Sequence, residues 1–313
     1  MLPMEFVPLL PLKRRLSSSR RAQPEFKGDP SEGWTPLHRA AAEGRLDLLQ
    51  VFAQHGVALD MRATGTDETA LHVAAATGHV AVVEWLLSMG ADAEARDFRA
   101  YTALLHAVEH AHVAVVETLL KHRVNTNAWR SVDQATCLHL AAQCGHSQLI
   151  NVLVDAGVEV DLQNLQGATP LHFAARAGQL DAALALLELH ANVNAQDDRG
   201  RSVLYMAVDY EDTTQVPEKT ELARIELLRL LLTHGAEIRG RHRKGRSSAL
   251  RCAAKRGRFQ IVKFLLGQGA KSNKVSAMVF ATFWAQSSDV VKHLMSPIPD
   301  SSRRLLKDPT TGA

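Results

Sequence analysis

The chain has 313 residues, of which 46% are hydrophobic, 5% aromatic and 22% charged, a composition typical of a folded globular protein. It has no apolar run of the roughly 18 residues that a membrane span needs, and its apolar opening, residues 1–12, is short and lacks a cleavage-like site, so we expect neither an anchor nor secretion. Cys137, Cys144 and Cys252 are too few for a disulfide framework and lack metal-ligand spacing, so we expect a reducing compartment, cytoplasmic and/or nuclear.

The net charge of +3 is distributed unevenly along the chain. Residues 31–238 carry 14 Lys/Arg and 27 Asp/Glu, whereas residues 239–274 carry 12 Lys/Arg and no acidic residue. The sequence therefore combines a long acidic body with a short basic segment. We predict that residues 1–30 are a disordered basic arm and that residues 297–313 are a flexible tail, because neither has enough apolar residues to form a core.

A short phrase that begins with Thr and ends in His recurs along the chain, as in Thr35-Pro36-Leu37-His38. Further copies begin at Thr69, Thr136 and Thr169, and weaker copies begin at Thr102, Ser202 and Ser248. Successive starts are separated by 34, 33, 34, 33, 33 and 46 residues. Each copy continues with an Ala-rich stretch, a break and an apolar run that has helical spacing. The pattern predicts a unit of helix, turn, helix and projecting loop, and one unit cannot bury its own apolar face, so the units must stack.

This phrase resembles the signature of the ankyrin repeat, for example in Thr69–Ala75 followed by Gly78-His79. The resemblance implies an all-α repeat fold, an ankyrin solenoid of helix-turn-helix units with projecting β-hairpin loops, in which the recurring histidine is structural. We expect this domain to cover residues 31–296. Its repeats start near residues 34, 68, 101, 135, 168, 201 and 247, a degenerate cap lies at 276–296, and the long interval contains a surface loop insertion at 210–222.

One stretch of the third repeat, His106–His110, matches the H-x-x-E-H arrangement of inverted zinc proteases. The repeat register places it on a short helix between packed neighbours, with no third ligand and no cleft, so we interpret its residues as surface polar residues. The chain has no nucleophile-elbow, Walker-type or dinucleotide-binding phrase. We therefore predict a protein that is not an enzyme, with no catalytic residue, no metal site and no cofactor.

The resemblance implies that partners bind the concave side formed by the hairpin loops and the exposed positions of each first helix. The partner-binding candidates on this side are Phe98, Arg99, Trp129, Arg130, Glu109, His110, Gln143, Arg176, Asp209 and Tyr210. Trp129-Arg130 is the preferred anchor because binding hot spots favour Trp and Arg, with Phe98-Arg99 beside it. The alternative that both aromatics pack against neighbouring loops stays open. The leading hypothesis is a monomeric, non-catalytic scaffold or adaptor that binds a protein or peptide.

The basic segment within residues 239–263 supports other interpretations. Its candidate residues are Arg239, Arg241, Arg243, Lys244, Arg246, Arg251, Lys255, Arg256 and Arg258. They could form a solvated face, pair with the acidic body, or bind an acidic protein, a nucleic acid or an anionic lipid. Aromatic residues that could stack on bases are scarce there, which disfavours recognition of single-stranded nucleic acid.

A second functional class is the substrate-recruiting subunit of a ubiquitin ligase. Pro297-Ile298-Pro299 followed by Leu305-Leu306 faintly resembles the end of a ligase-docking box, although the Leu and Cys expected upstream are missing. Two modification sites are also candidates. Ser17 follows an Arg pair, as in substrates of basophilic kinases, and Asn194 resembles the loop asparagines that are hydroxylated in ankyrin repeats.

Overall fold

The computed structural model describes residues 33–210, 217–238 and 248–270, and these residues form fourteen helices in seven pairs. The first helix of each pair is α1 (Pro36–Ala42), α3 (Ala70–Thr77), α5 (Ala103–Glu109), α7 (Cys137–Cys144), α9 (Pro170–Ala177), α11 (Val203–Val208) or α13 (Ala249–Lys255). The second is α2 (Leu46–Gln54), α4 (Val80–Ser88), α6 (Val113–Lys121), α8 (Ser147–Asp155), α10 (Leu180–Glu188), α12 (Pro217–Thr233) or α14 (Phe259–Gly267). The predicted arm, cap and tail lie outside the described residues.

The helices form two layers, because each first helix packs on the next first helix and each second helix on the next second helix. Small side chains allow the close approach in the first layer, where Ala74, Ala75, Ala141 and Ala142 are fully buried. Leu and Val side chains fill the space between the layers. The all-α solenoid predicted from the repeat phrase is confirmed.

Hydrogen bonds from the recurring histidine fix the start of four first helices. In α7, the Nδ1 atom of His139 accepts the Thr136 N–H at 3.3 Å, so Nε2 carries the proton and donates to the Ala168 carbonyl of the next repeat at 3.0 Å. The same arrangement is present at the start of α1, α3 and α9. Each of these histidines therefore caps its own helix and binds the following repeat.

A second series of hydrogen bonds runs in the opposite direction, from the start of a second helix to the preceding repeat. Nε2 of His79 contacts the carbonyl of Ala42 at 2.8 Å, and Nε2 of His112 contacts that of Ala76 at 2.9 Å. These carbonyls lie at the ends of first helices, where no helical N–H is available to them. Adjacent repeats are therefore joined by polar contacts at both ends of every first helix whose sequence matches the family phrase.

The third repeat departs from this pattern because Leu105 occupies the histidine position. Helix α5 has no capping box, and the buried hydroxyl of Thr102 has no hydrogen-bond partner. The neighbouring His106 is turned to Asp97, with 3.0 Å between Nε2 and the carboxylate. In this repeat the histidine side chain therefore contacts the hairpin loop that contains Asp97 and does not cap helix α5.

The inserted segment of the sixth repeat differs from the loop expected at 210–222. Helix α12 begins at Pro217 and has 17 residues, whereas other second helices such as α4 have nine. Arg224 then takes the place of His79, because its guanidinium donates to the carbonyls of Ala175 and Arg176 at 2.7 and 3.0 Å. Part of the insertion therefore lengthens a helix at its N-terminus, and the expectation of a loop is wrong for residues 217–222.

Backbone hydrogen bonds join the hairpin loops of successive repeats into a ladder. The amides of Phe98, Ser131 and Leu165 donate to the carbonyls of the preceding loop at 3.1, 3.0 and 3.2 Å. Isolated antiparallel bridges, such as the one between Trp129 and Thr136, close individual hairpins. The loops are therefore held in a fixed row above the first helices.

We expect His139→Leu to lower the free energy of unfolding by about 1–3 kcal/mol, because the buried Thr136 N–H loses its acceptor. Denaturant unfolding monitored by circular dichroism measures this change. His122→Leu, at an exposed position after α6, is the matched control and should change stability by less than about 0.5 kcal/mol. Equal losses in the two variants would contradict the capping role.

We also expect stability to fall as the pH is lowered from 6.5 to 5. Burial lowers the pKa of His72 and of His139 to about 4, whereas an unfolded histidine titrates near 6.5. Below pH 6.5 each of these histidines binds a proton in the unfolded chain but not in the folded one. The free energy of unfolding therefore falls by up to about 1.4 kcal/mol per pH unit for each histidine until the pH reaches the folded pKa. Denaturant midpoints at several pH values should show a shallower decline for His139→Leu than for the unmodified chain.

Candidate functional site

Large apolar side chains are exposed at the tips of three successive hairpin loops. Phe98 is 40% exposed, Val132 65% and Leu165 61%. The backbone ladder joins these loops at Phe98, Ser131 and Leu165, and Val132 follows Ser131. The three apolar side chains therefore lie on successive loop tips, and we call them the tip row. An ordered row of exposed apolar groups is typical of an interaction surface.

Arginines lie against aromatic rings beside the tip row. The Arg96 guanidinium is 4.6 Å from the centre of the Trp129 ring, that of Arg99 is 4.2 Å from the Tyr101 ring, and that of Arg130 is 5.9 Å from the Phe173 ring. Trp129 keeps 36% of its surface exposed. The Trp129 ring therefore packs against a neighbouring loop and keeps an accessible face.

A buried carboxylate holds the loop that carries Phe98. Oδ1 of Asp97 accepts the amides of Arg99 and Tyr101 at 2.8 and 2.7 Å, and Oδ2 contacts Nε2 of His106. Burial is the largest single influence and raises the pKa of Asp97. The hydrogen bond and charge of His106, the Tyr101 amide and the Arg99 charge together outweigh burial and hold this pKa below its usual value. The ionised carboxylate therefore orients the hairpin loop that carries Phe98.

The H-x-x-E-H residues come close together, and His106 is buried, so the expectation of surface polar residues is wrong for this histidine. Ligand atoms of His106, Glu109 and His110 lie within 4.8 Å of one another, as do those of Glu68, Asp97 and His106. However, His106 already contacts Asp97, and the Arg99 guanidinium lies 3.6 Å from the Glu109 carboxylate. Asp97 and Arg99 therefore already engage His106 and Glu109, and these side chains form a network of hydrogen bonds and ion pairs.

The concave side contains a pocket of about 540 Å³ between the fourth, fifth and sixth repeats. Its lining includes Arg130, Gln143, Phe173, Arg176 and Arg224. A bidentate ion pair with Asp133, at 2.7 and 2.8 Å, holds Arg130. The size and mixed lining of this pocket are those of a site for one or two side chains of a partner.

Tyr210 is not an exposed contact residue as expected, because only 3% of its surface is accessible. The guanidinium of Arg258 lies 3.2 Å from the ring centre and that of Arg224 lies 4.1 Å from it. Arg258 also donates to the Tyr210 carbonyl. Tyr210 thus joins the lengthened helix to the seventh repeat, and it reaches the pocket only through part of its ring.

The structure divides the predicted basic patch. Arg251 and Lys255 are exposed, but Arg256 pairs with Asp209 and Arg258 is 6% exposed. Arg258 follows Gly257 as His79 follows Gly78, so it makes the repeat-joining contact of the second series. Arg239, Arg241, Arg243, Lys244 and Arg246 lie outside the described residues, as does Ser17.

The remaining candidates have separate surroundings. His110, Gln143 and Arg176 are exposed on the concave side, whereas Glu109 is half-buried beside Arg99. Asn194 is exposed, but its side chain accepts the Glu237 N–H and donates to the Gly235 carbonyl, so it also joins two loops.

Sequence reasoning missed Val132, Leu165 and Phe173. Comparison of one loop position across the repeats could have found the first two, because apolar side chains there are solvent-exposed in a hairpin tip. No comparable sequence signal marks the hydrogen bonds of Arg224 to the preceding repeat. The insertion places Arg224 farther from its repeat phrase than His79 is from its own.

Family models for ankyrin repeats match most of the chain. One, for three copies, matches residues 12–97, 96–164 and 138–216, and one for many copies matches residues 221–266. Together with the helix pairs and the two hydrogen-bond series, these matches define a solenoid interaction domain. The chain belongs to the ankyrin repeat family.

Curated relatives and solved structures agree with this assignment. The chain is 38% identical over 119 residues to the E3 ubiquitin-protein ligase XBAT32 of Arabidopsis thaliana, covering 38% of this chain and 23% of that protein. It is 32% identical over 136 residues to ankyrin repeat and SOCS box protein 3 of Bos taurus, covering 43% and 26%. It is 35% identical over 102 residues to NF-kappa-B inhibitor alpha of Sus scrofa, covering 31% and 32%. These matches span less than a third of each relative.

Two solved ankyrin domains have the same fold. The human ASB11 ankyrin repeat domain aligns with a TM-score of 0.63 and 28% identity, covering 77% of this chain and 100% of that one. The Bcl-3 ankyrin repeat domain, from the IkappaB protein family, aligns with a TM-score of 0.60 and 27% identity, covering 74% and 98%. Within the described part of the chain, no helix is both long and apolar enough to span a membrane.

We expect Arg258→Ala to loosen the seventh repeat, because the Tyr210 carbonyl loses its donor and the ring loses its cationic neighbour. Hydrogen exchange of amides in residues 248–266 should accelerate at least tenfold, which corresponds to about 1.4 kcal/mol, while residues 33–190 keep their rates. Lys255→Ala is the control at an exposed position nearby and should change neither region. Unchanged exchange in Arg258→Ala would contradict the structural role of this residue.

Proposed function

We propose that this protein is a non-catalytic adaptor whose protein or peptide partner lies along the tip row and the adjoining first helices of the third to sixth repeats. The observation that carries the proposal is the exposure of Phe98, Val132 and Leu165 on the tips of successive loops that a backbone ladder joins. Burying three such side chains supplies several kcal/mol at about 25 cal/mol per Å² of apolar area. An extended surface of this kind suits a macromolecule.

The arginine and aromatic side chains beside the tip row support the same proposal. Phe98 and Trp129 keep accessible faces, and Arg99 and Arg130 are held in place by Asp97, Glu109 and Asp133. Side chains that are already ordered lose little rotamer entropy on binding, which favours affinity. The surface is therefore preorganised before a partner arrives.

A second candidate function is the recruitment of substrates to a ubiquitin ligase. It is favoured by the names of two relatives, an E3 ubiquitin-protein ligase and an ankyrin repeat and SOCS box protein. In this case the tip row would bind the substrate and another segment would bind the ligase. Co-purification of elongin-type or cullin proteins with the tagged chain, in amounts close to that of the chain itself, supports this function. The absence of these proteins from the purified chain contradicts it.

The test of the adaptor proposal is quantitative affinity purification with a triple variant, Phe98→Ser, Val132→Ser and Leu165→Ser. We expect partners captured by the unmodified chain to fall at least tenfold, because three adjoining apolar contacts of about 1–2 kcal/mol each are lost. The backbone ladder is unaffected, so the far-ultraviolet circular dichroism and the unfolding midpoint should be retained.

A matched control places substitutions to Ser on the second helices α2 and α10 and on the residue that follows α4. Val51, Met89 and Leu184 are 46%, 53% and 37% exposed, so Val51→Ser, Met89→Ser and Leu184→Ser remove comparable apolar groups from the other layer. This variant should keep its partners. Loss of the partners in the control, with retention in the tip-row variant, would move the binding surface to the second helices.

A further inference from the structure

The pocket between the fourth and sixth repeats has a charge opposite to that of the repeat body around it. Its lining contains the cations Arg130, Arg176 and Arg224 and a single carboxylate, Asp133. The surrounding body, residues 31–238, carries 27 acidic and 14 basic residues. A cationic concavity in an acidic body attracts an anionic group to this place and repels it elsewhere.

Within the described part of the chain, Arg176 is the pocket cation that is available to bind an anion. Asp133 compensates Arg130, and Arg224 uses two guanidinium nitrogens on the carbonyls of Ala175 and Arg176. The Arg176 side chain is exposed, and no carboxylate of the described residues lies within ion-pair distance of it. Its planar guanidinium can therefore form a bidentate pair with a carboxylate.

The remainder of the pocket is apolar. Phe173, Met206 and Ala177 line it together with Val132 of the tip row. Burial lowers the pKa of His172, so this neighbour is neutral and does not compete with Arg176 for an anion. A small free anion would leave the apolar lining wet, whereas an acidic side chain that is followed by a large apolar one covers both parts.

Resting on the proposed function, we propose that the pocket binds a peptide segment of the partner in which Asp or Glu adjoins a large apolar residue. The carboxylate pairs with Arg176, and the apolar side chain packs on Phe173 and Val132. The segment continues from the pocket onto the tip row. The pocket therefore determines which partners the apolar surface accepts.

Selection from a displayed library of random dodecapeptides against the full chain tests this proposal. We expect the enriched peptides to carry Asp or Glu beside a large apolar residue. Changing that acid to its amide should weaken binding at least tenfold in fluorescence anisotropy, and Arg176→Gln should have a similar effect. Because both changes remove one ion pair, the two together should weaken binding hardly more than either alone.

Lys255→Gln is the matched control, because Lys255 occupies in α13 the position that Arg176 occupies in α9. It should leave affinity unchanged. No enrichment, enrichment of peptides without acids, or binding that is insensitive to Arg176→Gln would overturn the proposal. Partners that depend on Phe98, Val132 and Leu165 but not on Arg176 would leave the adaptor function standing and remove only the pocket's role.

Discussion

Polar contacts between neighbouring repeats are the constraint on which the rest of this structure depends. Histidines such as His139 connect the start of one helix to the next repeat, and residues such as His79 return a hydrogen bond to the end of the preceding first helix. A stacked solenoid has few contacts between residues distant in sequence, so each junction must be stable by itself. These paired contacts fix the spacing of the first helices, and that spacing aligns the hairpin loops and the concave pocket.

Departures from the repeat phrase coincide with the surface to which we assign binding. In the third repeat, Leu105 replaces the capping histidine and His106 turns to Asp97, whose carboxylate shapes the loop that carries Phe98. In the sixth and seventh repeats, Arg224 and Arg258 replace histidine and enclose Tyr210 with positive charge. Residues that depart from the repeat pattern while the repeats still stack are expected where a protein has acquired a specific role.

Much of the architecture followed from the sequence, because a phrase that recurs every 33 or 34 residues fixes helix type, order and stacking together. The structural role of His38, His72, His139 and His172 also followed from their fixed register. The interior placement of Tyr210 did not, since the insertion hides the alignment of Arg224 with earlier histidines. Exposure of Val132 and Leu165 was overlooked, because apolar residues in a repeat are usually assigned to the core.

The account requires that a partner occupies the loop side of the third to sixth repeats. Cross-linking combined with hydrogen exchange on the complex with a captured partner tests this requirement most directly. The account predicts protection and cross-links within residues 96–100, 129–134, 163–167 and 173–177, while the second helices α4, α6, α8 and α10 keep the exchange rates of the free chain. Protection confined to those second helices, with the hairpin loops unchanged, would contradict it.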